Sequence, residues 1–531
     1  MKYILLLAFC LFCSLLWSQK TFSILPDLGG VRGQCLLNGI VPDSMGIFTI
    51  GTLVTDEDST GRKQIVKMQI NRFDYDGNLI KSRILTDSIF DKLFIFSNDP
   101  LIAINDSLRI LQMGLNISPQ NGSDVVLLMI DIKNLKIISV NKIPQPFPGD
   151  LDFVSVSKTE IVSDRFRMIF QHSKGLDNTY YVYEFDLKLN IKKISKIPKL
   201  GTLTPYYWVS SDSENNIECV GEVYEYKRGE FTGKGNIYYL KLDSNMQVLK
   251  RKDLIGNFNI YIAIADNQST FRDTDGSFVI SAFDWVIGDN FSFGKPLTLR
   301  MSPEFDSVYW IRPMYDHYED TVYIRQWTSY GDKMADGSGY VTCGDIHDYR
   351  FEGYVNYGLI YKVSERGDSL WTRRYLPIGW DSLRTYGMAF HQIRCTPYNT
   401  MVVAGGVGDT QSNTARAWLL HLDTDGCLVP GCGKVVRLED VHQRRETAFD
   451  IYPNPLLTDR LAILCRAALN QEMDLNIVNL DGQRVLHSRF QATEGVQYIA
   501  DIPSQLPHGT YIVSISDIQG RQWYSTKLIR Q

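Results

Sequence analysis

The chain is poor in the residues that announce chemistry. Its 531 residues include 8 histidines and 9 cysteines, and no HExxH, GxSxG, Walker loop or clustered CxxC occurs. That removes the motif-bearing metalloproteases, serine hydrolases, P-loop enzymes and zinc ribbons. Charge of one sign is lacking too. With 55 basic and 60 acidic residues the net charge is −5, which favours neither nucleic acid nor an anionic membrane surface as partner. After Trp17 no apolar run approaches the roughly 20 residues that a spanning helix needs. The seven cysteines beyond residue 20 (35, 219, 343, 395, 427, 432 and 465) are scattered, so this is no disulfide-dense scaffold. Cys427 and Cys432, in GCLVPGC, are the one close pair and a candidate disulfide. No second CxxC or paired His lies beside them to suggest a metal.

The first residues, MKYILLLAFCLFCSLLWSQK, place one lysine before an apolar run from Tyr3 to Trp17, followed by Ser18 and Gln19. This predicts a secretory signal peptide over 1–18. Cys10 and Cys13 follow bulky Phe9 and Phe12, where lipidation wants a small residue, so a lipid anchor is not expected. The mature chain is expected to be exported and to have no transmembrane span.

What the sequence has in quantity is strand material. It carries 29 Tyr and 25 Phe, in short apolar runs broken by Asp, Asn, Ser and Gly, which reads as all-β. Its length would allow three or four ordinary domains at about 150 residues each, but repeats take precedence over that count. They are present. Strand, polar turn, strand recurs in INRFDYDGNLIKSRIL, LMIDIKNLKIISV, YEFDLKLNIKKIS, YLKLDSNMQVLKRK, LRMSPEFDSVYWI, YKVSERGDSLWTRR and LLHLDTDGCLVPG. Aligned on Asp74, Asp131, Asp186, Asp243, Ser302, Ser364 and Asp423, the intervals are 57, 55, 57, 59, 62 and 59 residues. Further strand candidates upstream, such as MGIFTIGTLV and NTMVVAGGVGD, bring each period to about four strands.

A four-stranded sheet repeated seven times predicts a seven-bladed β-propeller over 19–432, whose closed ring leaves only short, protected edges. The seventh hairpin has a weak second strand, CLVPGC, and the segment TFSILPDL (21–28) is a spare apolar strand. It is expected to pair with blade 7 and lock the ring. The hairpin YKVSERGDSLWTRR resembles that of a large, loosely related set of secreted propellers, from which LRMSPEFDSVYWI departs.

At FDIYPNP (449–455) the rhythm changes, after a charged stretch, GKVVRLEDVHQRRETA (433–448), that reads as a linker. Seven short strand candidates fill the remaining residues, the pattern of a small Ig-like β-sandwich over 449–531. FDIYPNP, LNIVNLDGQRV, LPHGTYIVSI and KLIRQ, in that order, resemble the type A C-terminal sorting domain of the type IX secretion system of the Bacteroidota. The resemblance marks Tyr452, Pro453, Asn454, Pro455, Gly509, Tyr511 and Lys527. It implies the type IX translocon and its processing machinery as partners, removal of the domain after export, and attachment to surface lipopolysaccharide or release.

For the propeller's own task the signals are weaker. DYDGN (74–78), DTDGS (273–277) and DTDGC (423–427) look like calcium-loop fragments, but no bidentate Glu follows at the required spacing, and tight hairpins demand the same residues. His317 and His347 have acidic neighbours in YDHYED and CGDIHDY, a pattern commoner in solvated loops than in metal sites. No metal, cofactor or catalytic residue is assigned. Asp-Ser/Thr-apolar tripeptides recur at 43, 87, 106, 306, 320, 368 and 381 and resemble the O-glycosylation acceptor of the same phylum. The stretch 309–330, YWIRPMYDHYEDTVYIRQWTSY, holds seven Tyr or Trp in 22 positions, against 12% aromatic content for the chain. Aromatic rings stack on sugars or anchor proteins at low entropic cost. Tyr315, His317, Tyr318, Trp327 and Tyr330 are therefore the candidate binding face. The expectation is a non-enzymatic module for a glycan or extracellular protein; the alternative is a surface hydrolase or lyase with paired carboxylates at the channel mouth.

Overall fold

The computed structural model describes residues 21–530 except 27, 30–34, 58–63, 86–92, 95–100, 119–121, 144–151, 156–157, 160, 163, 175–176, 199–205, 228–229, 254–261, 265–269, 289–290, 314–323, 349–354, 378–388, 410–413, 429–447, 467–468, 480–482 and 519–521. The expected leader (1–18), the linker as far as residue 447 and Cys432 thus fall outside the described residues.

Seven sheets follow one another along the chain, antiparallel but for a short parallel pairing of Lys158–Thr159 with Tyr206–Ser211 in the fourth, each running from an inner to an outer strand. Blade 1 comprises Cys35–Asp43, Gly46–Glu57, Gln64–Phe73 and Leu79–Ile84. Blade 6 comprises Ile324–Lys333, Tyr340–Asp348, Val355–Val363 and Ser369–Pro377. In blades 2, 3 and 5 the inner strand comes in two short pieces, such as Ile262–Ile264 and Thr270–Arg272. Blade 7 takes three strands from Ala389–Cys395, Met401–Asp409 and Thr414–Leu422; its outer strand is Phe22–Ile24, with Phe22 opposite His421. The N-terminal segment locks the ring as its apolar pattern predicts.

Apolar cores lie between consecutive blades, and those of blades 5, 6 and 7 run together with the core of the C-terminal residues. Phe48, Ile50 and Ile70 of blade 1 pack with Val126, Leu128 and Ile130 of blade 2, and the series continues around the molecule. It closes where Leu37, Ile40 and Phe73 of blade 1 meet Val402, Ala404 and Leu419 of blade 7. The Ile40 amide donates to Gln392 Oε1 (3.0 Å) across the same closure. Full burial of each such side chain contributes about 1.5–3 kcal/mol.

All seven predicted turn positions are turns of one kind. The side-chain oxygen of Asp74, Asp131, Asp186, Asp243, Ser302, Ser364 or Asp423 accepts from backbone amides two to five residues on. Each turn ends on a left-handed residue: Gly77, Leu135, Leu189, Met246, Phe305, Gly367 and Gly426. The bulky four bury their side chains in the inter-blade cores, which offsets their backbone strain. At the glycines an aromatic ring from the preceding blade takes that place. A Cβ on Gly367 would stand 2.6 Å from the Trp310 ring, and one on Gly77 3.0 Å from Phe22.

Strand-1-to-2 and strand-3-to-4 turns share one end of the ring, because neighbouring strands run antiparallel. At this turn end, polar side chains stitch each blade to the next. Two residues before the turn position, Arg72, Arg300, Lys362 and His421 each bond a turn carbonyl of the next blade: Ile132, Glu365, Thr424 and Tyr75 respectively. Outer-strand residues do likewise, Arg83 to Leu135 and Arg373 to Asp425.

The C-terminal residues form a two-sheet sandwich. One sheet holds Phe449–Tyr452, Arg460–Cys465 and Val496–Asp501; the other holds Arg484–Thr493, Asn470–Asn479, Gly509–Asp517 and Gln522–Arg530. Alternate residues such as Met473, Leu475, Ile477, Val513 and Ile515 face inward. The strand Val496–Asp501 also pairs in parallel with blade 6's outer strand, Arg374 opposite Val496 to Pro377 opposite Ile499. Tyr357 and Thr493 hydroxyls bond across the junction at 3.0 Å. The edge of blade 6 is thereby covered. Among the described residues no helix is long and apolar enough to cross a membrane.

Candidate functional site

Two regions carry function-bearing geometry: the ends of the C-terminal sandwich, and the end of the ring away from the tight turns.

In the sandwich, motifs far apart in sequence meet. The Asn454 side chain acts as a short strand, its Nδ2 donating to the Lys527 carbonyl (2.6 Å) and its Oδ1 accepting from the Ile529 amide (3.0 Å). The Leu456 amide then bonds the Ile529 carbonyl at 2.6 Å. Tyr452–Pro453 and Asn454–Pro455 are both cis, and Tyr452 OH donates to Gln497 Oε1 at 3.0 Å. Burial pushes the Tyr452 phenol up. Arg530 reaches Asp459 (2.6 Å) and the carbonyls of Pro503 and Ser504. Gly509 stands opposite Arg530, and Tyr511 OH bonds back to the Pro507 carbonyl at 2.7 Å, a tyrosine corner. Lys527 itself is exposed opposite Ile512. The YPNP turn, the GTY corner and the last strand are one structural unit.

In the propeller, Tyr315, His317 and Tyr318 fall outside the described residues. For Trp327 the backbone is described, opposite Asp345. Tyr330 corrects the expectation of an exposed ring: it is fully buried, with the Arg394 guanidinium 4.5 Å from its ring centroid. A bulge between Thr328 and Tyr330 resets the alternation there. Nearby, Tyr309 is half exposed (52%), and Trp310 lies over Gly367 with its Nε1 donating to the Glu365 carbonyl (3.1 Å).

The calcium-like fragments are hairpin turns whose carboxylates are already engaged. Asp74 and Asp423 accept from their own backbone. Asp273 takes Lys333 Nζ (2.6 Å), Tyr340 OH and Arg300. Among the described residues no grouping of three His, Cys, Asp or Glu is suited to an ion. Cys427 is disulfide-bonded, and its expected partner Cys432 lies outside the described residues.

His347, singled out for its acidic neighbours, bonds Asp345 Oδ2 through Nε2. Both project from the second strand of blade 6 toward blade 7, because Gly358, opposite Asp345, is pressed against the Phe390 ring. Opposite His347 stands Asn356, fully buried, and neither atom of its amide has a hydrogen-bond partner among the described residues. The Asp345 charge also reaches His391 of blade 7, where burial lowers the pKa and that charge partly opposes it; the His391 Nε2 itself lies 3.9 Å from where a Cβ on Gly406 would stand, beside Leu36 of blade 1. Asn356 and His391 carry no motif. Their only sequence signal is proximity to strand ends, on three strands of two blades.

Comparison with known proteins agrees with the sandwich geometry. Residues 450–531 match the family described as "Secretion system C-terminal sorting domain". The chain is exported by type IX secretion to the cell surface or extracellular space, and the machinery of that system handles it. No curated protein matches the chain. Solved structures are similar only remotely. One is a prolyl endopeptidase (8% identity, TM-score 0.39, 88% of this chain and 61% of that one). Another is the polysaccharide lyase Uly1 (7%, 0.39, 75% and 91%). A third is the β-propeller domain of the trilobed protease from Pyrococcus furiosus (10%, 0.35, 73% and 95%). The chain thus spans 61% of the endopeptidase's length. At these scores the likenesses say nothing of activity.

Proposed function

We propose that this exported propeller is a binding module for an extracellular glycan or protein, and that it engages its ligand at the end of the ring away from the tight turns. One observation carries the reading: the two ends are built differently. At the turn end, side chains and carbonyls are spent on holding blades together, as in Arg72 to Ile132 and Arg300 to Glu365. At the other end, strands of blades 6 and 7 finish among Asp345, His347, Asn356 and His391, where a buried amide lacks any hydrogen-bond partner among the described residues. Unfilled polar capacity of this kind is what a ligand's hydrogen-bonding groups can complete.

A second reading draws on the same pair. A histidine held by a carboxylate, His347 on Asp345, is what proton transfer in a surface hydrolase or lyase uses. The exported full chain, passed over immobilised polysaccharides and extracellular proteins, separates the two. Retention of an intact ligand supports the module; shortened products in the eluate support the enzyme and sink the module. Retention of nothing rejects both.

A further inference from the structure

Blade 6 differs from the blades before it at its outer edge, where the C-terminal sandwich lies. We infer that this edge is a docking surface for the sandwich as a separable piece: the seam itself holds the two together, and cutting the chain that connects them leaves them bound.

The repeat makes the difference visible. Arg374 on the outer strand of blade 6 stands opposite Leu359, five residues before the turn position Ser364. The residues so placed in blades 1 to 5 are Ile84, Lys142, Lys196, Asp253 and Pro313. All five are exposed, as befits the last strand of a sheet. Arg374 is only 2% exposed. What blade 6 has beside it there is the sandwich strand, with Val496 opposite Arg374 and Gln497 opposite Tyr375.

The sandwich is shaped for the same contact. Val496–Asp501 is the last strand of its own sheet, beyond Phe449–Tyr452 and Arg460–Cys465, yet its first five residues are all buried. On Gln522–Arg530, the last strand of the other sheet, Leu528 alone is buried among residues 523–530. Burial on both faces marks an interior strand, and a parallel pairing requires it. Behind the seam, Tyr357, Tyr375 and Leu376 of blade 6 share one apolar cluster with Phe490, Tyr498 and Ile499 of the sandwich. The Tyr357 and Thr493 hydroxyls bond across it at 3.0 Å. Each edge left alone would offer a row of main-chain groups to foreign strands; here the two close each other. The connection between Leu428 and Ala448, residues 429–447, does not dictate the placement, because a chain of that length reaches about 65 Å when extended. The seam does. It also names the occupant, since the sandwich of the same chain is within that reach. A chain cut in 429–447 therefore keeps its sandwich, and the edge of blade 6 stays covered.

The test uses the full chain from residue 19 onward, made in the periplasm of a host without type IX secretion, with a site-specific protease sequence inserted between Glu439 and Asp440. After cutting, both fragments should travel together in size exclusion at the mass of the uncut monomer, and should still do so after about a hundredfold dilution. Two variants locate the hold. Val496→Lys sets a second cation opposite Arg374 in a buried seam. Arg374→Glu reverses a charge at a position that five other blades leave exposed, so the propeller itself tolerates it. In each, the cut sandwich should separate while the uncut chain still runs as a monomer. Wild-type fragments that part on cutting overturn the inference. Joint migration at twice the monomer mass overturns it too, because the sandwich would then be held by a second copy. Variants whose fragments stay together as firmly as wild type overturn the assignment to this seam.

Discussion

At the turn end of blade 6, Lys333 Nζ reaches Asp273 (2.6 Å) and Glu365 (2.8 Å), Arg300 reaches Asp273 and Asp275, and Tyr340 OH completes the Asp273 carboxylate. At the other end of the same blade, Asp345 and His347 hold each other while Asn356 beside them holds nothing among the described residues. Both clusters sit in the walls between blades, and both are largely buried. The first is a closed circuit in which a buried carboxylate, Asp273, meets partly buried cations that also hold more exposed carboxylates. The second is left open at a hydrogen-bonding group. A fold that depended on both clusters would have closed both. The contrast holds between these two clusters; unpartnered buried atoms occur at the turn end too, as at Trp371 Nε1 beside Gly426.

Breaking the closed cluster should have the largest effect. Asp273→Ala leaves Lys333 with Glu365 and Arg300 with Asp275, both more exposed partners, and removal of the one fully buried carboxylate costs up to about 3–5 kcal/mol. Urea unfolding of the exported chain measures it; a loss under about 1 kcal/mol would mean that the cations re-solvate and that the network is dispensable.

Acid should open the same cluster reversibly. Burial alone would raise the Asp273 carboxyl, but the bonds from Lys333 and Tyr340 outweigh it and hold the pKa at about 2, below the ordinary 3.8. A carboxyl depressed in the folded state contributes stability that is complete above its unfolded pKa and lost as pH falls through the folded one. The unfolding free energy should therefore decline between about pH 4 and pH 2, with a shallower decline in Asp273→Asn. Identical acid limbs in the two proteins would assign the loss to other carboxylates.

A smaller effect is expected at a single stitch. Lys362 is buried and donates to the Thr424 carbonyl of blade 7 at 3.2 Å. Lys362→Met keeps the apolar stem and should cost about 1 kcal/mol, the worth of one hydrogen bond, by thermal unfolding. Near-zero change, or a gain, would show that relief from burying the ammonium offsets the lost stitch.

The smallest change in stability is expected at the open cluster. Asn356→Leu should change the unfolding free energy by no more than about 1 kcal/mol, since removal of an unsatisfied amide offsets the crowding from the bulkier side chain. A stabilising substitution at a fully buried polar position, beside a destabilising one at Asp273, would sharpen the contrast between the two ends. Similar losses at both positions would erase it.

Much of this architecture was readable in the chain. The seven turn positions announce themselves because an Asx or Ser turn is a local event, written within four or five residues. Phe22–Ile24 could be assigned to blade 7 because a ring with one missing outer strand needs an apolar segment from elsewhere. The sorting motif was readable as landmarks, yet not the bridge from Asn454 to Lys527 and Ile529, which joins positions more than seventy residues apart. Tyr330 was misplaced for a physical reason. Aromatic enrichment does not say which side of a strand faces inward, and a bulge resets the alternation just before it. The stitches at Arg72, Arg300, Lys362 and His421 did lie within reach, since they recur with the same period as the turns, two residues upstream. The cluster of Asp345, His347 and Asn356 did not, because neighbouring strands must be paired in register before those residues meet.

The central claim is that ligand is taken at the end of the ring away from the tight turns. Hydrogen–deuterium exchange of the exported full chain, with and without an oligosaccharide or protein that it retains, tests this most directly. The account predicts new protection at the strand ends around Ile346–Asp348, Asn356–Tyr357 and Ala389–His391, with the turns at Asp74, Asp273 and Asp423 unchanged. Protection confined to those turns, or to the C-terminal sandwich, would contradict it.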